Sequence, residues 1–199
     1  MSERPDQRLV RGTRARRTIT RHAVDVASVE GLTGLSIGRL ATDLGLSKSG
    51  VQALFGTKEA LQLAAIDRAR EEFVEAVVRP VLDVPPGVER LRALVESWIR
   101  YVETPLFPGG CFWVANIADF DSRPGPVRDA LASDQEAWRA GLMAELRAAV
   151  DAGEIADLDT ELAAFQIDAV LRAANTALRL GDTGAVAKVR RVLDGLLRH

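Results

Sequence analysis

The sequence predicts an all-α protein of about nine helices, on three observations. Apolar residues recur at helical spacing along nearly the whole chain. β-Branched residues are scattered, with no run alternating at period two as a half-buried strand would. Helix starts carry Ser, Thr or Asp, and Gly or Pro stands at the ends.

The first helix is expected from about Thr13 to Val29, with Ile19, Ala23, Val26 and Ala27 on one face and Gly31 ending it. Ser36 caps a short helix to about Leu44, and Ser47 caps another to about Phe55. Thr57 opens a long helix to about Val78, which Arg79-Pro80 breaks. After the turn Pro85-Pro86-Gly87 a helix covers about Val88 to Glu103, with Leu91, Leu94, Val95 and Trp98 at helical spacing. Thr104 to Gly110, with two prolines and two glycines, is a stiff connector. A short helix from about Cys111 to Phe120 follows, then a long one from the Pro124-Gly125-Pro126 turn to about Ala152. The last two are expected at about Asp159 to Leu180 and Thr183 to Leu197.

The 199 residues are 47% apolar, enough for a sizeable core. No apolar run reaches membrane-spanning length, and the Arg-rich start lacks the apolar stretch of a secretory signal. The single Cys111 excludes an intramolecular disulfide and suits a reducing cytoplasm. His22 and His199 do not make a zinc site, and no cofactor or metal is expected. Up to Lys58 ten basic residues face five acidic ones, a net +5, so the remainder carries −7. A basic head on an acidic body points to a polyanionic partner for the head, or to a solvated basic tail.

Ile37 to Gly56 separates these readings. Two short helices crossing steeply need a small residue at the crossing and special backbone in the turn. With Ile37 as the first position, Ala41 is fifth and Gly45 ninth. Ala41 permits close approach, and Gly45 can take positive φ. Leu40, Leu44, Leu46, Val51 and Leu54 fall at the expected buried positions. This is the pattern of a helix-turn-helix. Lys48 and Lys58 each lie in the first turn of a helix, where the macrodipole disfavours a cation. Beside a phosphate, both dipole and lysine would be satisfied. Arg14, Arg17, Ser36, Arg39, Ser47, Ser49 and Gln52 complete the candidate DNA-contacting set.

Leu44-Gly45-Leu46-Ser47-Lys48-Ser49-Gly50, followed by Phe55-Gly56-Thr57-Lys58-Glu59-Ala60-Leu61, resembles the DNA-binding signature of the TetR family of transcriptional regulators. The resemblance covers about residues 13–61 closely and the later helices loosely. It implies a DNA-binding domain over residues 1–57 and a helical ligand-binding and dimerisation domain over 58–199. Gln52 stands where that family usually has an aromatic contact to the DNA backbone; Gln can instead read adenine bidentately.

The second half lacks a nucleophile elbow, a phosphate loop or conspicuous paired carboxylates, so no enzyme is expected. Trp98, Tyr101, Phe107, Trp113, Phe120 and Trp138 concentrate around the connector, with Cys111 and Asn116 among them. Singly they read as core; as a group they outline a pocket for a small, mostly apolar ligand with Asn116 as polar anchor. Cys111, opening a helix, is either a small buried residue or a reactive thiol. Leu162, Phe165, Ala169, Ala173 and Thr176 form one stripe, and Ile167, Leu171, Ala174 and Leu178 another. A helix apolar on two sides is central in a core or shared with a partner. Phe165, Ala169, Arg172, Val189, Leu193 and Leu196 are the candidate homodimer contacts. The expected function is a ligand-responsive, cytoplasmic repressor binding a palindromic operator in double-stranded DNA as a homodimer. The alternatives are an interaction module with a vestigial helix-turn-helix, or a sensor or enzyme using Cys111.

Overall fold

The structure, a computed structural model, describes residues 7–198. His199 and the charged Glu3, Arg4 and Asp6 lie outside the described residues. Among the described residues the chain is all-helical: α1 (Gln7–Glu30), α2 (Ile37–Asp43), α3 (Lys48–Phe55), α4 (Lys58–Phe73), α5 (Val88–Glu103), α6 (Phe112–Phe120), α7 (Pro126–Asp151), α8 (Thr160–Arg179) and α9 (Ala185–Leu196). No helix among them is long and apolar enough to cross a membrane.

Local chemistry explains the boundaries. The hydroxyls of Ser36 and Ser47 accept from the Arg39 and Gly50 amides, capping α2 and α3. The Asp159 carboxylate accepts from the Leu162 amide at 2.9 Å and starts α8. Two expectations shift. α1 begins six residues before Thr13, because nothing between Gln7 and Thr13 stops a helix; an interior Gly12 only weakens it. The long α4 does not break at Arg79-Pro80. Its α-helical path yields at Val74 to one π turn (Val74–Val78), and Pro80 falls near the start of a following 3-10 turn, where its missing N–H costs little.

Internal packing divides the chain into two compact units, Met1–Arg70 with Phe107–Ala130, and Glu71–Leu106 with Leu131–His199. The expected boundary after residue 57 does not coincide with this division. The cause is α6 and its preceding connector, which join α1 although they lie some eighty residues later. Gly109 approaches α1 so closely that a Cβ there would overlap the Ser28 carbonyl, and its amide donates to Ser28 Oγ at 3.0 Å. Phe107 and Phe112 are fully buried with Ile19, Ala23, Leu32 and Leu40 in the first unit's core. In the second unit, α8 and α9 pack together, burying Ile167, Leu171, Val189 and Leu193.

Candidate nucleic-acid interface

Between α2 and α3, Gly45 has φ +64°, its amide donating to Thr42 O and the Leu46 amide to Ala41 O at 2.8 Å. This paired closure ends α2 in one residue of left-handed backbone. Ala41, Leu40 and Val51 are buried as expected, whereas Leu44 and Leu54 are half-buried and Leu46 is 43% exposed. The correction has a local reason. Leu46 follows the left-handed residue, which turns it outward, and Phe55 fills the volume at the end of α3. Ser47, Lys48, Ser49, Gln52 and Ala53 are all exposed, so α3 presents one polar face to solvent and buries Val51 and Phe55 on the other.

Lys48 stands free at the first turn of α3, with no ion pair among the described residues. Gln52 folds back so that Nε2 donates to the Gly56 carbonyl at its own helix end. Lys58, expected to face phosphate, donates through Nζ to the Thr33 carbonyl at 2.5 Å. Arg39, also expected to contact DNA, is engaged within the protein: its guanidinium forks onto the Glu30 carboxylate and lies 3.4 Å from Asp43. Glu30 ends α1, where the helix dipole disfavours a carboxylate, so a neighbouring cation is favoured there. That hydrogen bond holds the Glu30 carboxyl below its ordinary range. His22, 3.0 Å from Asp43, does the same for Asp43, with Arg39 assisting.

Arg14 and Arg17 are exposed on α1 and, with Arg21, His22 and Arg68, line an open concavity of about 570 Å³ in the first unit. Arg16, unmarked by sequence reasoning, is turned the other way onto α3: Nη1 donates to Leu54 O at 2.7 Å. A guanidinium on a helix gives no signal in sequence of which neighbour it will reach.

The candidate ligand residues are divided between the two units. Phe107, Cys111, Trp113, Asn116 and Phe120 belong to the first unit, and Trp98, Tyr101 and Trp138 to the second. Asn116, expected as a ligand anchor, is fully buried and committed internally: Oδ1 accepts from Leu32 N at 2.5 Å, and Nδ2 donates to Phe112 O at 2.7 Å and Ala27 O at 3.2 Å. Phe107 and Phe120 are buried, as is Cys111 at the N-cap of α6. Half-buried Trp113 meets Phe112 edge-on at 5.6 Å. In the second unit Phe73, which sequence reasoning missed, joins the aromatics, with its ring 5.3 Å from Tyr101 and 5.5 Å from Trp138. Trp98 packs on Tyr101 at 6.3 Å. An open concavity of the second unit, about 550 Å³, is lined by residues of α7 and α8 including Arg139, Met143, Leu162 and Phe165.

The dimer candidates also separate. Val189 and Leu193 are buried within the chain, at 3% and 4% exposure, because α9 packs them inward. They are therefore corrected from partner contacts to core. Phe165 (53%) and Leu162 (52%) are exposed, with Ala169, Ala173 and Thr176 continuing the same face of α8. Leu196 and Arg172 are half-buried, Arg172 holding Asp168 at 3.2 Å.

A capped two-helix unit with a glycine turn and an exposed second helix led by a cation, in a chain with a further helical unit, has the form of a helix-turn-helix protein. Residues 87–193 match the family model described as "Tetracyclin repressor-like, C-terminal domain", over half of the chain, and the protein belongs to this TetR family. Solved structures agree in fold. A TetR transcriptional regulator from Chloroflexus aurantiacus superposes with a TM-score of 0.83 at 24% identity, covering 94% of either chain. A TetR-family transcriptional regulator from Streptomyces coelicolor gives 0.75 at 20% identity, again over 94% of each chain. AibR, solved with isovaleryl coenzyme A and operator DNA, gives 0.68 at 20% identity, over 92% of this chain and 95% of that one. Comparison with curated protein sequences finds no match.

Proposed function

We propose that the protein is a cytoplasmic, ligand-responsive repressor that binds a palindromic operator as a homodimer, and that it performs no catalysis. The observation that carries this reading is the exposed face of α3. Lys48, Ser49, Gln52 and Ala53 serve no packing role, whereas Val51 and Phe55 anchor the same helix. A surface helix so arranged can enter a major groove, with the Lys48 ammonium and the α3 N-terminus against phosphate and Gln52 against base edges. Release of Gln52 from Gly56 breaks one exposed hydrogen bond, a small cost. Arg14 and Arg17 supply further phosphate contacts from α1.

The exposed stripe of α8 supports a homodimer, since apolar side chains as large as Phe165 and Leu162 lie adjacent on one helix face. Two-fold assembly would present two recognition helices about 34 Å apart, one DNA turn, and so require an inverted repeat. For the ligand, the aromatic group Phe73, Trp98, Tyr101 and Trp138 of the second unit is the proposed apolar lining, packed ring against ring in this structure so that a ligand must part it, and the neighbour AibR was solved with isovaleryl coenzyme A. A ligand would release DNA only by favouring the DNA-incompetent state.

Footprinting of the purified protein on genomic fragments tests the reading. The expected footprint is an inverted repeat with half-sites about 10 base pairs apart, centre to centre. A footprint lacking repeat symmetry, with one protomer per duplex, overturns the dimeric-operator reading.

A further inference from the structure

The short loop Gly31–Leu35, which joins α1 to the helix-turn-helix, is held from two sides. From α6, Asn116 Oδ1 accepts the Leu32 amide while its Nδ2 reaches Ala27 O in the last turn of α1, and Asp119 Oδ2 accepts from Thr33 Oγ1 at 3.1 Å. From α4, Gln62 Nε2 donates to Leu32 O at 2.8 Å and Lys58 Nζ to Thr33 O. Gly31 itself has φ +78°, and a Cβ there would stand 3.0 Å from Asp119 Oδ2. The loop thus has almost no freedom of its own. It ends at Leu35 and Ser36, so its position decides where α2 starts and, through the one-residue turn at Gly45, where α3 points.

We infer that Asn116, assisted by Asp119, is a positioning residue for operator recognition: α6 sets the orientation of the recognition helix although neither residue belongs to the helix-turn-helix. The inference rests on the DNA-binding reading above. Base readout requires α3 and the arginines of α1 to meet the duplex together, within about 0.5 Å and 10–20° of their working geometry. Non-specific binding requires only charge near phosphate. Loosening the loop therefore erodes discrimination between sequences and leaves non-specific affinity nearly intact. Asn116 and Asp119 lie more than eighty residues from the loop they hold, and neither carries positive charge.

The experiment compares wild type, Asn116→Ala and Asp119→Ala for binding to the footprinted operator and to a scrambled duplex at several salt concentrations, alongside thermal melting. Asp119 is exposed, so its variant folds even where loss of buried Asn116 does not. The expected result is a loss on the order of 3–10-fold in operator affinity for Asp119→Ala and more for Asn116→Ala. Scrambled-duplex affinity should stay within about twofold, with the salt slope unchanged. An operator-to-scrambled ratio at the wild-type value in Asp119→Ala, and in Asn116→Ala wherever it folds, overturns the inference, even if melting temperatures fall. A wild-type protein that does not discriminate the two duplexes overturns the DNA-binding reading instead.

Discussion

Arg16 lies across the ring of Phe55, its guanidinium carbon 4.5 Å from the ring centroid, while Nη1 donates to the Leu54 carbonyl. One side chain of α1 therefore covers the last buried aromatic of α3 and satisfies a carbonyl at the helix end, where a cation also complements the dipole. Arg16→Ala should lower stability by about 0.5–1 kcal/mol, the range for an exposed cation–π contact with one hydrogen bond, or roughly 1–4 °C in melting temperature. Arg16→Lys should recover little, because an ammonium cannot both stack flat and donate sideways. A lysine variant melting with wild type would show that charge alone matters there.

Lys48 and Lys58 occupy equivalent first-turn positions but differ in engagement. Lys48 is uncommitted, so Lys48→Ala should weaken binding about equally on all duplexes and reduce the salt slope by roughly one. Lys58 spends its ammonium on Thr33 O, so Lys58→Ala should lower operator affinity without that change in slope. Gln52→Ala should alter which sequences are preferred, at about 1–3 kcal/mol for a lost bidentate contact. Titrations from low to moderate salt on operator and scrambled DNA separate the three; equal slope changes for both lysines would place Lys58 on phosphate after all.

Asp168 is a buried carboxyl on the inner face of α8, and burial pushes its pKa above 3.8, with Arg172 opposing. The folded chain thus holds this proton more tightly than the unfolded chain. Stability from this group falls as pH rises from the unfolded value through the raised folded value. Asp168→Asn lacks that loss and keeps an acceptor for Arg172. The melting temperature of the variant minus that of wild type should become more positive as pH rises from the ordinary carboxylate range toward neutrality. A difference independent of pH would mean that Arg172 fully offsets burial.

What could be read from the sequence was what neighbouring residues decide among themselves. Ser36, Ser47 and Gly45 announce their caps and turn, and α5 runs from Val88 to Glu103 as Pro85-Pro86-Gly87 and Thr104-Pro105 frame it. Positions settled by distant partners were not legible. Asn116 has the composition of a ligand anchor, but its partners Ala27 and Leu32 stand 89 and 84 residues away. Arg39 is paired with Glu30, nine residues earlier, an engagement that the local pattern does not announce. The aromatics near the connector fell into two units because the connector returns to α1, an approach that depends on Gly109 having no side chain.

The two apolar stripes of α8 could be counted in the sequence, but which one α9 covers could not. The structure buries Ile167, Leu171 and Ala174, and leaves Leu162, Phe165 and Ala169 outside. The proposed dimer therefore depends on the exposed stripe of Leu162, Phe165 and Ala169, and two substitutions of identical chemistry should fail differently. Phe165→Glu places a charge on a surface already in water, so the isolated chain should keep its fold, with stability changed by no more than about 0.5 kcal/mol per monomer. Its effect should be on association. A carboxylate facing its symmetry mate at a two-fold contact would be both desolvated and repelled, and should yield a folded monomer that loses the palindrome. Leu193→Glu instead buries a charge in the core between α8 and α9, where it has no prepared partner; a loss of more than about 4 kcal/mol and failure to fold are expected. Sedimentation with circular dichroism distinguishes these outcomes. A Phe165→Glu protein that sediments as a dimer and protects the full inverted repeat would move the interface away from α8.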